Sequence, residues 1–201
     1  MMKKLPKALI LYRFFMAFVL VALSYWKSPH YPLWATLILA TGLLSDVFDG
    51  MIARKHGVST EKLRRLDSSV DQVFFGAAGL ATYLHATEFF KTNWVLIAIL
   101  MGAEIGIYLI SYVRFKKEVA THSIGAKIWL LSLFALLIQL SWKQDAGWVF
   151  YLCFWLGMIT RIEIALILLI LKEWTNDVPS VFQAIKLRKG EAIKRNKLFN
   201  G

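Results

Sequence analysis

Four aspartates lie within the stretch SDVFDGMIARKHGVSTEKLRRLDSSVDQVFF, residues 45–75, which has apolar residues on both sides. Asp46 and Asp49 are spaced i,i+3, and Asp67 and Asp71 are spaced i,i+4, so each pair would share one face of a helix. Carboxylate oxygens without cysteine or well-spaced histidine ligands favour a hard divalent cation, Mg²⁺ or Mn²⁺, over zinc. Four carboxylates can share two such ions, an arrangement that suits displacement at phosphorus. The stretch therefore predicts a two-metal site.

The helices that must position these aspartates have the composition of a membrane protein. The chain has 201 residues, is 58% hydrophobic and contains 8 Trp, which is too apolar for an ordinary soluble domain. Six apolar runs are close to the length of about 20 residues that a bilayer-spanning helix needs. They cover Ala8–Trp26, Pro32–Ala53, Leu66–Ala86, Trp94–Tyr112, Ile124–Trp142 and Trp148–Leu171. We therefore predict an all-α integral membrane protein with six transmembrane helices.

The distribution of lysine and arginine predicts the topology. If the N-terminus is inside, the loops on the opposite side hold only Lys27, Lys91 and Lys143, as the positive-inside rule requires. Both termini should then be cytoplasmic, in the cytoplasmic (inner) membrane of the cell. We expect residues 1–171 to form the membrane domain and 172–201 a basic cytoplasmic tail on anionic lipid. The net charge of +11 is explained by this topology and does not indicate nucleic-acid binding.

The loop between the second and third spans, RKHGVST, is predicted to be short and cytoplasmic. Gly57 stands where one helix would end, and Ser59 or Thr60 where the next would be capped. The two helices would then be antiparallel neighbours. All four carboxylates can therefore converge just below the cytoplasmic surface. Ionisable residues inside a membrane are costly, so their presence there indicates a functional site.

The first aspartate pair is followed by three residues that suit a phosphate-bearing ligand. Gly50 has no side chain and Ala53, one turn later, has a small one, so this helix face is open to a bulky group. Packing between small residues in lipid is the alternative explanation for Gly50. Arg54 supplies a fork of donors for a phosphate.

The aspartates and these neighbours together resemble a known family. The pattern DxxDGxxARx8GxxxDxxxD is typical of CDP-alcohol phosphatidyltransferases, and seven of its eight specified positions occur here at the same spacing. The exception is Leu63, which replaces the second glycine and would reshape the expected cytidine pocket. The first helix is similar to the family's PNxxTxxR motif in Pro6 and Arg13, but has Lys7 and Ile10 where Asn and Thr are usual.

The resemblance implies transfer of a phosphatidyl group from CDP-diacylglycerol, or a similar CDP-activated lipid, to an alcohol, with release of CMP. It implies two Mg²⁺ or Mn²⁺ ions on Asp46, Asp49, Asp67 and Asp71, with Asp71 also the catalytic general base. The CDP-lipid would contact Asp49, Gly50, Ala53, Arg54 and Asp67. A homodimer is implied as well.

The acceptor alcohol is the least specified part of the reaction. SYVRFKKE, which contains Arg114, resembles the SYxRxxxE segment of members that use inositol phosphate. HSIGAK, with Ser123 and Lys127, is similar to the SxxGK element of glycerol-phosphate enzymes. We weakly prefer glycerol 3-phosphate and leave inositol phosphate, serine and other alcohols open, with Arg114, Ser123, Lys127 and Arg161 as candidate acceptor ligands.

Charges inside the later spans have two interpretations. Arg161 lies near the middle of the sixth span, where a charge is paired or faces a polar cavity, and pairing with Glu104 is the alternative to acceptor contact. The four aspartates also have alternatives, namely a divalent-cation-binding transporter or a catalytically silent scaffold. No inverted repeat is apparent in the sequence, which argues against transport.

Overall fold

The computed structural model describes residues 4–119 and 123–192, and every regular element in these ranges is an α-helix. The sequence prediction of an all-helical protein is confirmed. The helices are α1 Leu5–Tyr25, α2 Tyr31–Lys55, α3 Glu61–His85, α4 Thr87–Thr92, α5 Trp94–Phe115, α6 Ile124–Lys143, α7 Trp148–Ile170 and α8 Val181–Arg188.

Five of these helices, α1, α2, α5, α6 and α7, are long and apolar enough to cross a membrane. They coincide with five of the six predicted spans. The remaining span was predicted in α3, which has 25 residues but is more polar, because it carries Asp67 and Asp71 in its first half. Large exposed side chains such as Phe15, Leu109 and Trp155 are 59–61% exposed, as expected for surfaces that face lipid.

The chain divides into two compact units, of which the first comprises Met1–Lys91 and Leu137–Ala146. Within it, α1 packs against both α2 and α3. Ser24 of α1 donates a hydrogen bond to the Ala81 carbonyl of α3 at 2.6 Å. Tyr12 of α1 and Thr41 of α2 are hydrogen-bonded at 2.8 Å. The helix α1 therefore holds the two aspartate-bearing helices in place.

Helices α2 and α3 also meet each other at a glycine. A β-carbon on Gly42 of α2 would overlap the ring of Phe74 of α3, and Phe74 is 1% exposed. The loop that joins the helices has Gly57 at φ +65°, and the Thr60 hydroxyl accepts a hydrogen bond from the Leu63 amide at 3.2 Å. The prediction of a short loop with a glycine stop and a Thr60 cap is confirmed.

The second unit comprises Thr92–Leu136 and Gly147–Gly201. Its helix α7 packs against α5 and α8. Val178 and Ala184 are fully buried against Ile167 and Leu171, so the described part of the predicted basic tail folds back onto α7. Residues 193–201 of that tail lie outside the described residues.

Candidate active site

The four predicted aspartates converge in the first unit. Asp49 is 2% exposed, and Asp46, Asp67 and Asp71 are partly buried. Asp46, Asp49 and Asp67 each offer a carboxylate oxygen, and these three oxygens lie within 4.8 Å of one another. The i,i+3 and i,i+4 spacings thus bring the carboxylates of α2 and α3 together, as the sequence predicts.

A residue that sequence reasoning did not place in the site lies among these carboxylates. Arg13 of α1 is 1% exposed, and its guanidinium contacts all four aspartates. Nη1 lies 2.8 Å from Asp46 Oδ1 and 3.1 Å from Asp71 Oδ1. Nη2 donates to Asp49 Oδ2 at 3.1 Å and also to Asp67 Oδ1. Each terminal nitrogen therefore bridges one aspartate of α2 and one of α3.

This guanidinium offsets part of the electrostatic cost of the cluster. Four carboxylates this close repel one another, and burial away from water strengthens the repulsion. A single cation in ion-pair contact with all four replaces part of the lost hydration. Arg65 of α3 pairs with Glu61 at 2.6 Å on the exposed face of that helix.

The residues that follow Asp49 are arranged beside the cluster. Ala53 is 5% exposed. The exposed Arg54 side chain bends back over Gly50, so that its Nη1 lies 3.3 Å from where a β-carbon on Gly50 would be. The missing side chain of Gly50 therefore lets a guanidinium lie against the helix backbone. This arrangement can present fork-shaped donors to a phosphate.

A family model for CDP-alcohol phosphatidyltransferases matches residues 3–174. The chain belongs to the CDP-alcohol phosphatidyltransferase family. No curated protein and no solved structure matches the chain significantly. The chain is therefore an enzyme, a phosphotransferase of phospholipid biosynthesis that transfers a phosphatidyl group from a CDP-alcohol. Its apolar helices make it a multi-pass membrane protein.

Members of the CDP-alcohol phosphatidyltransferase family generally use a divalent metal ion, and the donor set here fits such an ion. Asp46, Asp49 and Asp67 supply only carboxylate oxygens, which are the ligands that Mg²⁺ and Mn²⁺ prefer. Asp71 does not belong to this group of three, but it shares the contact with Arg13 at 3.1 Å.

Leu63, the departure from the phosphatidyltransferase pattern, lies in the first turn of α3. Its side chain is half-buried, and its amide is bound by the Thr60 cap. The leucine therefore keeps a regular helix start while adding a side chain where the family has none.

The four residues predicted to bind the acceptor all lie in the second unit. Arg114 donates to the Leu171 carbonyl at 3.0 Å. The buried Ser123 hydroxyl accepts from the Ala126 amide at 3.1 Å. Lys127 is half-buried. These contacts give Arg114 and Ser123 local structural roles, and acceptor binding by all four residues stays a prediction.

Arg161, the fourth of these residues, is buried and is engaged in an ion pair with a partly exposed partner. Its Nη2 lies 2.8 Å from Glu104 Oε2, and its guanidinium lies over the Trp129 ring at 3.6 Å from the centroid. Pairing between Arg161 and Glu104, one of the two interpretations drawn from the sequence, is thus confirmed. The Glu163 side chain lies against Gly125 instead. One of its carboxylate oxygens would be 2.8 Å from a β-carbon built on that glycine.

Proposed function

We propose that the protein transfers a phosphatidyl group from CDP-diacylglycerol, or a similar CDP-activated lipid, to a small alcohol and releases CMP. One observation carries this proposal. The aspartates of the family motif converge from α2 and α3 into one partly buried cluster, with three of their oxygens within 4.8 Å of one another. No other group of three or more potential metal ligands occurs among the described residues.

The metal ligands in this proposal are Asp46, Asp49, Asp67 and Asp71, which would hold two Mg²⁺ or Mn²⁺ ions. When bound, such ions neutralise phosphate oxygens and the charge that develops on the leaving group. The four side chains come from two helices locked together by α1, so their oxygens are held in place before substrate binds. Such preorganisation lowers the cost of assembling the site.

The CDP-lipid would lie against Asp49, Gly50, Ala53, Arg54 and Asp67. The missing side chain of Gly50 leaves room for the Arg54 guanidinium beside it, and the small Ala53 side chain is buried one turn later. Its guanidinium is exposed and can pair with the pyrophosphate of the donor. These contacts would orient the β-phosphorus toward the acceptor.

Asp71 is proposed as the general base. Its carboxylate would take the proton of the acceptor hydroxyl while that oxygen forms a bond to the β-phosphorus. The bond between the β-phosphorus and the bridging oxygen breaks, and CMP leaves with the electron pair. Asp71 suits this role because it does not belong to the three-oxygen group, shares the contact with Arg13 and is partly exposed.

The acceptor is proposed to be glycerol 3-phosphate, with inositol phosphate, serine and other alcohols as alternatives. Arg114, Lys127 and Arg161 are cationic, which favours an acceptor that itself carries a phosphate, and Ser123 is the fourth candidate ligand. Glu104 already neutralises Arg161, which reduces the charge that Arg161 can offer to a phosphate.

The topology proposed for this enzyme has six spans, in which α3 is the third span along the chain. Both termini and the active site would face the cytoplasm, in the inner membrane of the cell. The distribution of lysine and arginine supports this orientation, and the 25 residues of α3 are sufficient in length. A homodimer is proposed on the family resemblance alone.

The test is CMP release from CDP-diacylglycerol by the purified protein in detergent with Mg²⁺ and a panel of acceptors. We expect one acceptor to support turnover, and Asp71→Asn to lower the rate by at least about 100-fold, the usual contribution of a general base. Asp145→Asn is the matched control, because Asp145 is exposed and lies in the loop after α6.

The alternatives predict different results in the same assay. A silent scaffold would bind CDP-diacylglycerol and release no CMP with any acceptor. A cation transporter would show neither binding nor release. Near-normal turnover by Asp71→Asn would remove the general base from the mechanism and leave the reaction class intact.

A further inference from the structure

The contacts of Arg13 divide the carboxylates into two pairs. Nη1 bridges Asp46 and Asp71 at 2.8 and 3.1 Å, and Nη2 bridges Asp49 and Asp67. Each pair consists of one residue from α2 and one from α3. The two nitrogens of one guanidinium thus stand between the same carboxylates that two metal ions would share.

A guanidinium and two divalent ions would compete for this position. Mg²⁺ binds carboxylate oxygens at about 2.1 Å and tolerates little distortion, whereas the Arg13 nitrogens already lie within 3.1 Å of an oxygen of each aspartate. Two divalent ions alone would neutralise four carboxylates. A buried guanidinium in their midst would then be an excess charge, repelled by both ions at close range.

The Arg13 side chain is held by charge more than by directional bonds. Although it is 1% exposed, its Nε and Nη1 make no hydrogen bond of good geometry within the described residues. Buried polar atoms are normally satisfied, so such atoms call for an explanation. A side chain that must leave its position during function would not be fixed by a complete set of hydrogen bonds.

We propose that Arg13 is an exchangeable counter-ion of the carboxylate cluster. Its guanidinium holds the four aspartates together until divalent ions bind, and ion binding moves it out from between them. This inference rests on the metal site of the proposed function. It also couples ion binding to catalysis, because Asp71 is paired with Nη1 and becomes available to accept a proton only when Arg13 moves.

The experiment is a titration of the purified, metal-free protein with Mn²⁺, followed by the electron paramagnetic resonance of free Mn²⁺. We expect Arg13→Gln to bind Mn²⁺ at least about tenfold more tightly than the wild type, because a competing charge at close range is removed. The Mn²⁺ affinity of Arg13→Lys should lie between those of the wild type and Arg13→Gln, since one ammonium nitrogen cannot bridge both carboxylate pairs. Arg65→Gln is the matched control. This substitution removes an exposed arginine of α3 that pairs only with Glu61 among the described salt bridges. The Mn²⁺ affinity of the variant should equal that of the wild type.

Thermal unfolding supplies an independent measurement. Without its counter-ion, the cluster of Arg13→Gln should repel itself, so this variant should unfold at a lower temperature than the wild type in EDTA. Saturating Mn²⁺ should remove most of that difference. If Arg13→Gln cannot be purified, Arg13→Lys carries the test, with tighter Mn²⁺ binding than the wild type as the expected result.

Weaker Mn²⁺ binding by either Arg13 variant would overturn the proposal, because it would show that the guanidinium stays in place and supports the bound ions. Unchanged affinity would overturn it as well, since no competition would then exist. Failure of the wild type to bind Mn²⁺ would refute the proposed metal site itself, a result distinct from any difference between variants.

Discussion

The contact between Gly42 of α2 and Phe74 of α3 predicts how strongly activity depends on the spacing of these helices. A β-carbon on Gly42 would overlap the Phe74 ring. That ring is 1% exposed and has little room to move in a packed interior. Gly42 is one helical turn from Asp46, and Phe74 is one turn from Asp71. Separation of the helices at this contact would therefore move the two aspartate pairs apart.

We expect Gly42→Ala to lower the free energy of unfolding by about 1–3 kcal/mol, the usual cost of overpacking a core. CMP release should fall further, by about 100-fold, because a displacement of about 1 Å in a catalytic group costs roughly that much. Thermal unfolding and CMP release from CDP-diacylglycerol would be measured on the same preparation. Gly79→Ala of α3 is the control, since its β-carbon would meet nothing within 4 Å, and it also reports the gain in helix propensity from glycine to alanine.

A second substitution separates the steric cause from other effects. Phe74→Leu removes the ring that a β-carbon on Gly42 would meet, so the double variant Gly42→Ala with Phe74→Leu should regain part of the activity that Gly42→Ala loses. Such recovery is the coupling that a double-mutant cycle detects between contacting residues. If Gly42→Ala retained the activity of Gly79→Ala, the reasoning that this contact sets the helix spacing would be refuted.

Two further substitutions test other parts of the chain. Glu104→Gln leaves the buried Arg161 without its counter-charge, so the free energy of unfolding should fall by about 3–5 kcal/mol. Thermal unfolding measures this loss. The double variant Glu104→Gln with Arg161→Met should recover most of it. Leu63→Gly restores the residue typical of the family, so the KM for CDP-diacylglycerol should fall, at a stability cost of about 1 kcal/mol for glycine in a helix. An unchanged KM would show that the Leu63 side chain lies away from the nucleotide.

The helices were largely predictable because apolar runs of membrane length leave few alternatives. Their ends were less so. The apolar run that predicted the third span begins at Leu66, whereas α3 begins at Glu61. A hydrophobic run marks only the apolar part of a helix, whereas α3 begins earlier, directly after its N-cap residue Thr60. The short helix α4 was not predicted, because its six residues are too few for a periodic pattern.

The convergence of the aspartates was predictable, but their partner was not. Spacing within one helix is fixed by helical geometry, so the pairs on α2 and α3 could be derived from the sequence. Arg13 depends instead on α1 packing against both helices, which no local pattern encodes. Two signals did exist. Arg13 matches the last position of the PNxxTxxR motif of the family. Arg13 is a charged residue inside an apolar run, and such residues usually face a partner or a polar cavity.

The position of α1 explains why four like charges can be placed together in an apolar protein. A carboxylate cluster formed by α2 and α3 alone would separate those helices, because repulsion in a poorly solvated site opposes their contact. The arginine on α1 turns that repulsion into a shared attraction, since each of its terminal nitrogens binds one aspartate from each helix. Hydrophobic packing of Ile10, Ala17 and Leu20, which are 0–1% exposed, fixes the helix that delivers this charge. In the proposal made above, the guanidinium that stabilises the cluster also gives way when divalent ions bind.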